Sequence, residues 1–369
     1  MTDIKKAICS GMLASILLLG GCSQKESPFQ SFFNGDFSLL CPSEAYDAEA
    51  VERIAHDLST ADFVYEEMDV SGDGEKELLV KSPNDPAVVR GVFHHGEAGI
   101  QCWLWDTDER CVWTLEKDGV FLRRSKGVEE VSEWRICFDA DGQQGVVVDV
   151  GGDVPRLVVF SSFAYKDGTD PLRHFDTGMR TLTIYKMDDR QSPIQTLTTD
   201  TSIEANMMGL EDLNFDGYLD ITYVRTIGNV NTFLNVFLWD TEQGVFCENE
   251  ALEQLPNLSV EENEVISSWS RGSASSGTQE YYRYIDGQLT CIRSIEHDWY
   301  GGGGFFEDRQ PFLSVKDYQD GELKTVFYET VPFESLSETA DGGVIWPWPN
   351  DQRREEWNKW NDDLNYHGE

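Results

Sequence analysis

Two nine-residue segments set the terms on which this chain can fold. Asp212 to Asp220 reads D-L-N-F-D-G-Y-L-D, and Asp69 to Glu77 reads D-V-S-G-D-G-E-K-E. Each carries oxygen-bearing side chains at positions 1, 3, 5 and 9 and a glycine at position 6. These are Asp212, Asn214, Asp216 and Asp220 with Gly217, and Asp69, Ser71, Asp73 and Glu77 with Gly74. Alternate side chains of a tightly curled loop point inward, so these oxygens converge. The position-7 carbonyl (Tyr218 or Glu75) joins them, and glycine takes the sharp turn. Carboxylates gathered this closely repel one another unless a cation neutralises them. The spacing therefore predicts Ca2+ at 212–220. It predicts a second ion at 69–77, with Ser71 a weaker ligand there and Glu77 a longer one. Position 12 is Tyr223 or Val80, where a helix-flanked calcium loop carries a bidentate Glu. Affinity is accordingly expected to be modest, roughly 10⁻⁴ to 10⁻³ M, and magnesium fits so irregular a cage poorly. The expected role of each ion is to pin a loop that launches a strand.

The residues after each loop read as β. Strand-like runs cover Glu77 to Lys81, Ala87 to His94, Gln101 to Trp105, Arg156 to Phe163, Thr181 to Lys186, Ile221 to Thr226, Thr232 to Trp239, Glu280 to Tyr284, Leu289 to Ile295 and Leu323 to Val331. Asp-Gly pairs at 118–119, 141–142, 286–287 and 320–321 punctuate them, and this is the strongest short-range hairpin signal. Both loops are succeeded by L-W-D-T, at Leu104 to Thr107 and Leu238 to Thr241, so a unit of loop, strand, and strand ending in L-W-D-T occurs twice. A third, decayed copy starts at Asp149 (D-V-G-G-D-V-P-R-L); it lacks the glycine at position 6 and the acid at position 9 and is expected to hold no metal. Repeating strand units predict a mainly β chain, a propeller-like repeat of antiparallel sheets over residues 36–345. A short N-terminal helix is expected from Glu44 to Leu58, capped by Ser43 and carrying Val51, Ile54, Ala55 and Leu58 on one face. Residues 346–369 are expected to form a helical tail, with Trp357, Trp360 and Leu364 aligned.

The N-terminus reads as an address. Lys5 and Lys6 precede the apolar run Ala7 to Leu18, which is shorter than the roughly 20 residues of a membrane span, and Leu19-Gly20-Gly21-Cys22 comes next. L-G-G-C resembles the bacterial lipobox. The resemblance implies that residues 1–21 are a signal peptide, that Cys22 is lipidated, and that 22–35 form a polar tether. The chain would then face the extracytoplasmic side of the cell membrane, held there by lipid. With 67 acidic against 29 basic residues and a net charge of −38, nucleic acid is excluded as a partner, and so is electrostatic docking on anionic lipid. The same balance favours cations or a basic protein. Six further cysteines (Cys41, Cys102, Cys111, Cys137, Cys247, Cys291) permit three disulfides, for which 15 connectivities exist. Cys102 and Cys111 bracket W-L-W-D-T-D-E-R and are expected to face each other across a hairpin.

N-F-D-G-Y-L-D-I, from Asn214 to Ile221, with L-W-D-T after it, resembles the exported calcium-loop proteins related to the periplasmic lysozyme-inhibitor and immunity protein of xanthomonads. The single loops are similar to FG-GAP and VCBS repeats. The likeness covers about residues 205–295 well and the first loop less well. It implies a β-propeller-like fold, calcium on Asp212, Asn214, Asp216 and Asp220, and inhibition of a lysozyme-like muramidase. Some lysozyme-inhibitor families insert an S-G-x-x-Y loop into the enzyme; here Ser276 to Tyr281 is one residue longer. No G-x-S-x-G, H-E-x-x-H or P-loop is present, so no catalytic residue is nominated. His94, His95 and Glu97 lack a further ligand and read as surface, while Trp103, Trp105, Trp113, Trp299 and Tyr300 read as core. A binding module is the leading expectation. The alternatives are a glycan- or wall-directed enzyme and a structural surface lipoprotein.

Overall fold

A computed structural model describes residues 27–43, 45–108, 110–126, 131–166, 178–203, 205–273, 276–298, 312–330, 337–338 and 344–345. The signal segment, Cys22 and the expected C-terminal helix lie outside them, as do Trp299, Tyr300 and Gly301 to Gly304. The chain is mainly β, with 55% of it in strands, and it forms two compact units. One comprises residues 1–133 with 138–143, the other 134–137 with 144–369. Among the described residues no helix is long and apolar enough to cross a membrane.

The first unit opens with α1 (Gln30–Phe33), β1 (Leu40–Cys41) and α2 (Ala48–Thr60). Asp47 caps α2 by accepting the Ala50 N–H at 2.8 Å, so the helix starts later than Ser43 would place it. Ser43 instead accepts the Tyr46 N–H and donates to the Cys102 carbonyl. Within the expected tether, two residues belong to the core, Phe29 and Phe32. Phe29 and Phe32 are 0% and 1% exposed and pack with Val51, Ile54 and Leu58 against Leu78, Val80, Phe93 and Ile100. Each buried ring contributes about 1.5–3 kcal/mol, which holds this segment down.

Six strands come next: β2 (Val64–Met68), β3 (Glu77–Lys81), β4 (Val88–Gly96), β5 (Gly99–Trp105), β6 (Cys111–Leu115) and β7 (Phe121–Lys126). β4 pairs antiparallel with β3 on one edge. On its other edge, β5 lies beside Gly91 to Gly96 and β6 beside Val88 and Val89. β5 and β6 therefore run in the same direction along one edge, and no hairpin joins them. That arrangement corrects the expected Cys102–Cys111 bridge: both are free thiols, Cys102 donating to the Leu104 carbonyl and Cys111 accepting from Arg123. It also corrects the repeat unit. L-W-D-T ends the third strand after the first loop, with β4 intervening, but the second strand after the second loop.

β8 (Val131–Phe138) leads into the second unit. There β9 (Gln144–Val148), β10 (Leu157–Tyr165), β11 (Gly178–Lys186) and β12 (Gln195–Thr201) form an antiparallel meander. A second meander contains β13 (Met208–Glu211), β14 (Asp220–Ile227), β15 (Thr232–Asp240) and β16 (Val245–Glu248), and the short helix α3 (Glu250–Glu253) comes after it. A third contains β17 (Ser259–Glu261), β18 (Val265–Arg271), β19 (Ser276–Ile285), β20 (Gln288–Asp298), β21 (Phe312–Gln319) and β22 (Glu322–Thr330); β23 (Ser337–Glu338) pairs with β24 (Val344–Ile345). The middle sheet buries both faces. Ile221, Tyr223, Phe237 and Trp239 pack on Val148, Leu157, Val159, Leu182 and Ile184. On the other face Val236, with Leu213 and Leu252, packs on Ile266, and Tyr282, Tyr284 and Leu289 close around it. The Asp-Gly turns at 286–287 and 320–321 put both residues at positive φ (50° and 76°; 54° and 90°), as two-residue hairpins require. Ser276 to Tyr281 lies within β19, with Tyr281 buried, so this segment is a paired strand and not a protruding loop.

Candidate metal loops

Each predicted loop is the connection of a β-hairpin, and the two hairpins close at the same place. Met68 pairs with Glu77 across β2 and β3, and Glu211 pairs with Asp220 across β13 and β14. In both, the residue before position 1 is opposite position 9. Both backbones turn left-handed at positions 4 and 6: Gly72 (φ 81°) and Gly74 (91°) in the first, Phe215 (59°) and Gly217 (88°) in the second. Glycine takes that region freely. A phenylalanine there is strained by about 1–2 kcal/mol, and Phe215 is held by packing on the cluster around Leu213 and Val236.

The hydrogen bonds also repeat. At position 1, Asp69 accepts the N–H groups of Gly72 and Gly74 (2.7 and 3.0 Å), and Asp212 those of Asp216 and Gly217 (3.1 and 2.9 Å). At position 3, Ser71 Oγ and Asn214 Oδ1 accept the position-5 N–H (3.4 and 3.2 Å). At position 5, Asp73 and Asp216 accept the position-7 N–H of Glu75 and Tyr218 (2.7 and 2.9 Å). At position 9, Glu77 and Asp220 accept the position-2 N–H of Val70 and Leu213 (2.9 and 2.7 Å). Positions 3, 5 and 9 are thus wired alike in two different sequences, while position 1 takes the position-4 and position-6 N–H groups in the first loop and those of positions 5 and 6 in the second; the position-3 acceptor Ser71 is itself buried.

Position 9 behaves differently from the others. Glu77 and Asp220 are both 0% exposed, whereas Asp69, Asp73 and Asp216 are exposed. Asp220 Oδ2 takes the Leu213 N–H, and its Oδ1 takes the Trp239 N–H at 2.8 Å, joining loop to β15. Burial pushes the Asp220 carboxyl up to about 7 against the opposing pull of those two N–H donors, and the neighbouring Asp216 and Asp212 add to the rise. Burial likewise raises Glu77, whose Oε1 lies 3.3 Å from His94 Nδ1. The His94 ring stacks on Trp103 with centroids 4.7 Å apart, so His94 supports the first loop while His95 and Glu97 are exposed. Among the described residues no three carboxylate, imidazole or thiol groups are already drawn together as a cage. The loop oxygens instead hold their own backbone amides.

The donor set is all oxygen: Asp212, Asn214, Asp216 and the Tyr218 carbonyl in one loop, Asp69, Ser71, Asp73 and the Glu75 carbonyl in the other. That chemistry suits a hard cation such as Ca2+. Sequence spacing identified these residues but treated position 9 as equal to the rest. The decayed copy has another place in the fold. It connects β9 to β10 and lies on the second loop, where Leu219 N–H donates to the Val150 carbonyl at 2.8 Å. A Cβ on Gly151 (φ 119°) would sit 3.0 Å from the Gly217 carbonyl oxygen. The pair of glycines at 151–152 was the available signal for that close approach.

No family model matches this chain, and no curated protein matches it. One similar solved structure is described as a Xanthomonas Type IV Secretion System related protein. It is 17% identical, with a TM-score of 0.35, over 50% of this chain and 94% of that one.

Proposed function

We propose that this chain is a lipid-anchored, extracytoplasmic binding module whose 212–220 and 69–77 loops each bind Ca2+. The observation that carries the reading is the wiring that two loops of different sequence, one in each unit, share at positions 3, 5 and 9. When bound, the ion supplies positive charge to oxygens that otherwise repel. Asp212, Asn214, Asp216 and the Tyr218 carbonyl would hold one ion. Asp69, Ser71, Asp73 and the Glu75 carbonyl would hold the other. Asp220 and Glu77 fix the hairpin that presents them. We read the stacked strand meanders as propeller-like blades, and the partner surface as one suited to a basic protein, given the net charge of −38. Inhibition of a lysozyme-like muramidase is the specific form of this reading, and it rests on the N-F-D-G-Y-L-D-I resemblance.

Calcium titration of the full chain by calorimetry tests the proposal. Two ions per chain are expected, one lost in Asp216→Ala and the other in Asp73→Ala. No heat of binding at millimolar calcium would overturn it. With the ion present, loss of wall hydrolysis by a muramidase at micromolar protein supports the inhibitor form. Unchanged hydrolysis across the lysozyme classes removes that form and leaves the calcium claim standing.

A further inference from the structure

Ser27, the first described residue, is fixed to the sheet of the first unit. Its hydroxyl donates to the Glu67 carboxylate on β2, and its Oγ accepts the Phe29 N–H at 3.1 Å. From there the segment crosses one face of the sheet: Phe29 and Phe32 pack on Leu78, Val80, Phe93 and Ile100, and Leu40 pairs with Ile100 of β5. Two apolar side chains of this segment stay outside that core, Phe33 at 42% exposed and Leu39 at 50%. Both are held in place. The Phe33 ring lies edge-on to Tyr65 with centroids 6.0 Å apart, and the Leu39 carbonyl accepts the Ile100 N–H at 2.9 Å. The described part of the first unit exposes one further large apolar side chain, Val64, on β2, the strand to which Ser27 is tied.

Ser27 follows Cys22 by five positions, and five residues fully extended span at most roughly 18 Å. A folded body of about 110 residues has a radius of gyration of roughly 13 Å, so it is wider than that link is long. A lipid on Cys22 therefore holds the side of the unit that carries Ser27 against the bilayer and keeps the opposite side away. From the lipid-anchor reading proposed above, on which this step rests, we infer that the outer side of the 27–41 segment is the membrane-facing surface of the first unit, with Phe33 and Leu39 entering the lipid interface. The ligand is the apolar part of the bilayer and not its headgroup charge, because Asp36 and Glu66 are exposed on the same segment and on β2 and repel anionic lipid. Once the acyl anchor holds the chain at the surface, the side chains insert at high effective concentration, and anchor and side chains together give the two signals that stable membrane attachment takes.

The test uses the full chain, lipidated and reconstituted in phosphatidylcholine vesicles, with a diazirine-bearing amino acid in place of Phe33, Leu39 or Arg124. Arg124 is the control: it is exposed on β7, which three strands (β3, β4 and β6) separate from β2. All three positions are exposed or half-exposed, so the replacements leave the core intact. After irradiation, mass spectrometry is expected to find phospholipid adducts at positions 33 and 39 in several-fold higher yield than at 124. A yield at position 33 or at position 39 no higher than at 124, in a chain whose Cys22 is shown by mass to be acylated, overturns the inference and leaves the anchor standing. A Cys22 that carries no acyl chain overturns both.

Discussion

Asp220 joins three parts of the second loop: its first turn, its closing strand and the neighbouring β15. The side chain is 0% exposed and takes the N–H groups of both Leu213 and Trp239. Removing it leaves two buried donors without partners, at about 1–3 kcal/mol each. Asp220→Ala is therefore expected to lower the Tm by roughly 5–20 °C, using about 2–4 °C per kcal/mol for a domain of this size, in calcium and in EDTA alike. Asp216 is exposed and turns its carboxylate to loop amides. Asp216→Ala is expected to cost less than about 1 kcal/mol in EDTA, on the scale of one exposed hydrogen bond, and to abolish the calcium response. Differential scanning calorimetry of the two variants separates the buried tie from the exposed carboxylate. Equal losses in EDTA would mean that position 9 is not the structural acid. Phe215 belongs to the same scale: its left-handed backbone (φ 59°) is tolerated because its ring packs on the Leu213 cluster, while Gly72 fills that place in the first loop without a ring.

At the scale of elements, the second loop is held from above as well as from below. The β9–β10 connection lies on it through the Val150 carbonyl and the close approach of Gly151 to the Gly217 carbonyl. A methyl at 151 meets backbone at 3.0 Å on a residue already at φ 119°. Gly151→Ala is expected to cost about 1–3 kcal/mol and to weaken calcium binding at that loop. Gly244→Ala, at φ 67° with nothing within 4 Å of a Cβ, carries backbone strain alone and leaves calcium binding unchanged. Matching calcium isotherms for the two variants would sever the covering segment from the loop. These contacts also mark where sequence reading stops. β3, β14 and β15 were legible because apolar, β-branched residues alternate or run together between turn signals. β12 (Q-T-L-T-T-D-T) was not, because its polar side chains find partners only in the folded sheet. β13, at four residues, is too short for any period. The oxygen-bearing positions 1, 3, 5 and 9 could be read from spacing alone. The inward turn of position 9 could not, since it arises from the hairpin pairs Met68–Glu77 and Glu211–Asp220. The Asp-Gly turns at 118–119, 286–287 and 320–321 were legible because two successive positive φ angles admit few other residues.

At the scale of the whole molecule, a net charge of −38 means that the folded chain works against its own field. On the calcium reading, cations bound to the native state at the two loops would relieve part of that repulsion. If each Kd lies near the 10⁻⁴ to 10⁻³ M of extracellular calcium modules, about 10 mM calcium contributes roughly 1.4–2.7 kcal/mol per site through RT ln(1 + [L]/Kd). For unfolding units of 150–250 residues this corresponds to about 3–10 °C. The measurement that tests the central claim most directly is the Tm of the full chain in 10 mM calcium and in EDTA, run beside Asp216→Ala and Asp73→Ala. The expected result is a calcium-dependent rise of several degrees, reduced in each single variant and absent when the two are combined. A Tm that is the same in calcium and EDTA would contradict the claim and leave both loops as acidic hairpin turns wired only to themselves.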